Sequence, residues 1–145
     1  MNVAVIRLNR MFELPTEFEW LAPWSPLTND ADPHALEGGQ IQAELESGQT
    51  IANGLVAELR REMPTGHRLF NCELRVIGKC DADHNEFLYA TNDPTAPIAC
   101  VHLTWKTESN ANWPHTDIYA TLDEWIAQMK RENDGLTKMN GNNDG

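Results

Sequence analysis

Basic residues are scarce in this chain. Lysine and arginine number 11 against 22 aspartates and glutamates, which leaves a formal net charge of −11 and a pI near 4.7. That deficit argues against ordinary nucleic-acid binding, which needs a basic footprint along the phosphates. Nucleic-acid mimicry would need carboxylates in regular rows, and here they are scattered. Long apolar runs are missing too. Nothing approaches the roughly 18 residues of a membrane span, so no membrane contact is expected. Cysteine is sparse and odd in number: Cys72, Cys80 and Cys100. With no C-x-x-C and no secretory signal at the start, a disulfide framework is not expected and a reducing cytoplasm is the expected setting. There is no G-x-S-x-G, phosphate-binding glycine loop or dinucleotide fingerprint, so no cofactor is expected and no reaction is assigned.

What is present suffices for one globular domain. At 145 residues the chain can bury roughly two thirds of its unfolded surface. The apolar fraction of 41% and the mean hydropathy of −0.51 are low, but five tryptophans offset this, because large aromatics bury much area each. Residues 1–132 are read as a single α+β domain, of which 1–39 is an irregular arm holding Pro15, Trp20, Pro23, Trp24, Pro26 and Pro33. Within it, residues 1–8 carry a short β-branched run, and Asp32 to Glu37 offers one turn of helix. Residues 133–145 lack apolar periodicity and read as a mobile polar tail.

The stretch from Gly66 to Trp105 organises the rest. Ahead of it, Ile51, Leu55, Leu59 and Met63 recur at helical spacing and predict a helix over about 50–63, ended by Pro64 and Gly66, with Glu58, Arg60, Arg61 and Glu62 on its far side. Phe70, Cys72, Leu74 and Val76 then alternate with polar residues as in a half-buried strand. Asp81–Asn85 reads as a turn, Glu86–Ala90 as a second strand, and Asn92-Asp93-Pro94-Thr95 as another turn. In the third strand Ala99, Val101, Leu103 and Trp105 share one face, while Cys100, His102 and Thr104 share the other. Connections this short force antiparallel pairing. After a polar loop over 106–120, Thr121 and Glu124 form a capping box for a helix over about 122–132, striped by Leu122, Trp125, Ile126 and Met129. The expected fold is therefore a three- to four-stranded antiparallel meander in the order α-β-β-β-α, with both helices packed on one face. The opposite face, with Glu73, Arg75, His102 and Thr104, is left solvated or for binding. An exposed third strand would leave a monomer free to pair into a homodimer.

Four groups of residues offer chemistry. On the open face, His102 with Glu73 can work as a general base, but a solvated face with ordinary cross-strand charge pairs is the preferred reading of such residues. The histidines His67, His102 and His115, with Asp117 or Cys100, are zinc-ligand types, yet none shows H-x-x-x-H or C-x-x-C spacing, so no metal site is expected. Asp81 to Asn85 imitates the start of a calcium loop, but the glycine needed at the sixth position is Glu86, and a hairpin turn explains the segment. Trp105 and Trp125 fall on core faces. Trp20, Trp24 and Trp113 lie in loops beside prolines, where they either line a contact surface or staple the loops to the body.

Gly66-His67-Arg68-Leu69, Val101-His102-Leu103-Thr104-Trp105 and Trp113-Pro114 together resemble an uncharacterised family of small bacterial proteins with a GHxL…VHLTW…WP pattern, over about residues 45–130. The resemblance implies a bacterial, cytoplasmic, single-domain protein and carries no catalytic residue. The expected function is a non-enzymatic, acidic protein-interaction module of the inhibitor or immunity type, meeting another protein with a basic surface. Its candidate contact residues are Trp20, Trp24, Trp113, His115, Glu73, Arg75, His102 and Thr104. The alternative is a small hydrolase-like enzyme using His102 or His67 with a carboxylate such as Glu73.

Overall fold

The computed structural model describes residues 10–27 and 51–143, with side chains described to residue 136. The expected strand at 1–8 and helical turn at 32–37 lie outside them. The described elements run β1 (Trp24–Pro26), α1 (Ile51–Glu62), β2 (Leu74–Cys80), β3 (Glu86–Thr91), β4 (Ile98–His102), β5 (His115–Tyr119) and α2 (Leu122–Asn143). Five strands form one antiparallel sheet in chain order, β1-β2-β3-β4-β5. The α+β class and the sequential pairing of the middle three strands agree with expectation. β1 and β5 are additional. Pro26 removes a ladder donor, which an edge strand tolerates. β5 reads HTDIY, too short and polar to announce itself as a strand. Because β5 pairs with β4, the third strand of the expected meander is interior and offers no free edge.

The helices do not share a face. Ile51, Leu55 and Leu59 of α1, with Met63 just after it, pack on Val76, Phe87, Tyr89, Ala99 and Val101. Trp125 and Met129 of α2 pack on Leu88, Ile98 and Cys100, the residues between. Side chains alternate across a sheet, so the two clusters lie on opposite sides. The physical reason is visible in β3 and β4: Phe87, Leu88, Tyr89, Ala90, Ile98, Ala99 and Val101 are each 1% exposed or less. Strands that are apolar on both faces need cover on both. On the α2 side that cover includes the arm, through Phe12, Phe18, Trp20, Leu21 and Trp24. The face expected to be open is closed over most of its length.

The arm is fastened by specific contacts. Trp24 stands edge-on to Trp125 at 5.0 Å between ring centres, and its indole N–H donates to Glu132 Oε1 at 3.3 Å. Asn133 Nδ2 donates to the Ala22 carbonyl at 2.8 Å. The Trp20 ring lies where a Cβ on Gly78 would stand, next to the irregularity in the β2–β3 register between Val76 and Gly78. α2 begins as expected, with the Glu124 N–H donating to Thr121 Oγ1 at 3.1 Å. It then runs past 132 to Asn143, so residues 133–143 of the expected tail are helical. The periodic apolar stripe ends near Met129, but no proline follows to stop the helix.

The two helices also differ in their polar faces. Glu58 and Glu62, expected on the solvent side of α1, are both fully buried. The segments 66–73 and 104–108 lie over that side, and Arg60 donates to the carbonyls of Phe70 and Cys72. Farther along, Asp93 accepts from the Thr95 hydroxyl and N–H and from Arg68, which holds its carboxyl down to about 2. A depressed carboxyl stabilises the fold above its unfolded pKa, and that contribution is lost as pH falls from the ordinary value of 3.8 toward 2. Asp93→Asn should therefore flatten the acid limb of a melting-temperature profile between about pH 4 and pH 2. Solvent screening keeps the effect below about 1 kcal/mol.

Candidate functional site

Two of the polar residues singled out in the sequence, His67 and Thr104, are spent on tying the segments that follow α1 and β4 to their surroundings. His67 is 5% exposed. Its Nδ1 accepts the Leu69 N–H at 3.1 Å and its Nε2 lies 3.0 Å from the Pro114 carbonyl, the geometry in which Nε2–H is the donor to that carbonyl. The Thr116 hydroxyl also bonds the Pro114 carbonyl, at 3.0 Å. One level up, the Glu62 carboxylate accepts the N–H groups of Thr104 and Trp105, each at 2.8 Å, and the Thr104 hydroxyl at 3.1 Å. Trp105 sits at a φ of 61°, a left-handed conformation uncommon for a tryptophan. Glu62 holds it there, and the Trp105 indole N–H donates to Asn85 Oδ1 at 2.7 Å. Burial pushes the Glu62 carboxyl above its ordinary range, and Glu108 adds to this, against the pull of the Thr104 and Trp105 donors. Thr104 is thus turned toward α1 and is not on the other face of β4.

His102 escapes this framework. Register places Glu86 opposite His102, and His102 opposite His115, so the three form a row across β3, β4 and β5 on the α2 side of the sheet. At the end of that row Asp83, in the β2–β3 turn, puts Oδ2 3.3 Å from His102 Nδ1. The ligand atoms of Asp83, Glu86 and His102 all lie within 4.8 Å of one another. His115 Nε2 in turn lies 3.3 Å from Asp117 Oδ1. Beneath the row, the Cys100 thiol donates to Glu86 Oε1 at 3.4 Å. Burial raises the Glu86 carboxyl, and it raises the Cys100 thiol far above its ordinary value, with Glu86 adding to the second effect. Cys100 is a packed, protonated thiol and not a nucleophile. Cys72 and Cys80 are buried and free as well.

The other candidates disperse. Trp24 is 2% exposed and structural, and Trp20 packs on Phe18 and over Gly78. Glu73 is exposed ahead of β2 and Arg75 donates to the Phe12 carbonyl at 3.3 Å, neither of them beside His102. His67 is on the α1 side, so His67 and His102 do not act together. Trp113 is the large hydrophobic residue left exposed among the described residues, at 45%, with its ring 6.3 Å from that of His115. Beside it opens a cleft of about 360 Å³ lined by Thr104, Lys106, Glu108 and Trp113. A hairpin folded about Pro94 makes Glu86 and His102 equidistant from the turn, and this spacing was the available signal for their pairing. Asp83 carries no such signal, because turn chemistry alone accounts for it in the sequence. Compared with protein-family models, curated proteins and solved structures, the chain shows no match to any of them.

Proposed function

We propose that this chain is a non-enzymatic protein-interaction domain whose contact face is the end of the sheet carrying Trp113, His115, Asp117, His102 and Asp83. The observation that carries the reading is Trp113: a large aromatic left 45% exposed, with the His115 ring 6.3 Å away and beside a cleft that Lys106 and Glu108 also line. Its position is set by Pro114, whose carbonyl is bonded by His67 and Thr116. A half-exposed tryptophan with polar neighbours is the composition of an interface anchor. The net charge of −11 favours a partner with a basic surface. Among the described residues, no helix is long and apolar enough to cross a membrane. The test is quantitative pull-down from the native host with wild type and Trp113→Ala side by side. A stoichiometric partner should be retained at low salt and weakened at least tenfold by the substitution, about 1.4 kcal/mol or more. Retention unaffected by Trp113→Ala refutes the assigned face.

The hydrolase alternative retains one supporting observation, the Asp83–His102 pair, in which a carboxylate stands ready to orient an imidazole base. Its other named residues, His67 and Glu73, are elsewhere, and the thiol beneath the pair is held protonated.

A further inference from the structure

We propose that Asp83, Glu86 and His102 bind a divalent transition-metal ion such as Zn2+, an inference that goes beyond the interaction reading and does not depend on it. Three ligand atoms of three residue types converge within 4.8 Å from two separate places, the β2–β3 hairpin and the end of β4. Asp83 Oδ2 and His102 Nδ1 are already 3.3 Å apart, the separation expected of two ligands each about 2 Å from one tetrahedral ion. Two carboxylates of like charge face one another here, and a cation bound between them relieves the repulsion. The imidazole selects the metal. Calcium and magnesium take oxygen ligands, whereas imidazole with carboxylates suits zinc and its first-row neighbours.

The surroundings orient each ligand. Asp83 Oδ1 is taken by the Asn85 N–H at 3.0 Å, which leaves Oδ2 toward His102. Glu86 Oε1 is taken by the Cys100 thiol, which leaves Oε2. Asn85 is itself tied to the Trp105 indole, and its carbonyl accepts the Leu103 N–H at 2.9 Å, so the hairpin is locked to the end of β4. Outer partners that fix ligand carboxylates in this way sharpen a metal site. The Asp83 and His102 side chains remain 35% and 42% exposed, so an ion has a path in and keeps a coordination position for water.

The test is calorimetric titration of the chelator-treated full chain with Zn2+, and with Mg2+ for comparison, in wild type, His102→Ala, Asp83→Asn and Trp113→Ala. Wild type should take up one Zn2+ per chain, with no comparable Mg2+ binding. His102→Ala and Asp83→Asn should each weaken Zn2+ at least tenfold, while Trp113→Ala leaves it unchanged. Zn2+ should also raise the melting temperature of wild type and not that of Asp83→Asn. Both substituted side chains are partly exposed, so their circular dichroism spectra should match wild type. Absence of saturable Zn2+ binding, or an affinity that neither His102→Ala nor Asp83→Asn alters, overturns the proposal. Partner retention measured with chelator present keeps the outcome separate from that of the interaction test.

Discussion

Glu62→Ala should lower the unfolding free energy by about 3 kcal/mol, read from the midpoint of a urea titration at neutral pH. The substitution removes the acceptor for the Thr104 and Trp105 N–H groups and the Thr104 hydroxyl. A buried donor left without a partner costs about 1–3 kcal/mol, and here more than one is stranded at once. The left-handed Trp105 loses the bond that holds it, and strain of that kind persists only where the surroundings impose it. Two effects work the other way. Burying a carboxylate is unfavourable in itself, as the raised Glu62 pKa shows, and the neighbouring segment gains some water on relaxing. The donors outweigh both, because Glu62 is the acceptor for both backbone N–H groups at once. Glu62→Gln keeps one acceptor oxygen and turns an amide donor toward the second N–H, so it should lose about half as much. A change below about 1 kcal/mol in Glu62→Ala would show that the turn at 104–105 stands without its carboxylate.

Trp125→Ala should be as damaging, by about 3–5 kcal/mol, the range for removing a fully buried aromatic. The side chain is 0% exposed and is the largest of the fully buried ones among the described residues. It takes Trp24 edge-on at 5.0 Å and Tyr119 at 5.3 Å, so one ring ties α2 to both the arm and the edge strand β5. Near-UV circular dichroism should collapse on the α2 side before the cluster around Leu55 and Tyr89 is disturbed. Trp125→Phe distinguishes packing from polarity. The indole N–H of Trp125 has no hydrogen-bond partner among the described residues. Removing that orphan donor offsets part of the lost volume, so the phenylalanine variant should lose less than half of what alanine loses. Equal losses in the two variants would mean that the indole N–H matters to the fold.

The sequence exposed this architecture unevenly, and the reasons lie in particular residues. α1 was legible because Ile51, Leu55, Leu59 and Met63 repeat at helical spacing and proline follows. The hairpins were legible because Asp93-Pro94 and Asp81–Asn85 are turn chemistry between apolar runs. The side of the sheet on which α2 lies was not. It depends on Leu88, Ile98 and Cys100 needing cover, which a pattern of alternation reads as solvent-facing until the strand is seen to be apolar on both faces. β1 and β5 were hidden because Pro26 and the polar HTDIY speak against strands, and only their edge positions permit them. Glu58 and Glu62 were misplaced because charge predicts exposure, whereas Glu62 serves as an acceptor for backbone donors that the sequence does not reveal. His67 and Thr104 turned out to be joints of the framework. For His102 the residue was visible in advance, but its neighbours Asp83 and Glu86 follow only from the register of β3 with β4.

Chain order and spatial order coincide in the sheet, which bears on how the molecule is made. During synthesis each hairpin of β2, β3 and β4 can close as soon as its second strand leaves the ribosome, without waiting for a distant segment. The arm supplies part of the roof over Leu88, Ile98 and Cys100 early, and the remainder, Trp125 and Met129, arrives last. Until then a nascent chain shows a greasy plate to its surroundings. Premature termination ahead of Leu122 would release a species that clumps, and a chaperone would have its main task in the interval before the final helix emerges.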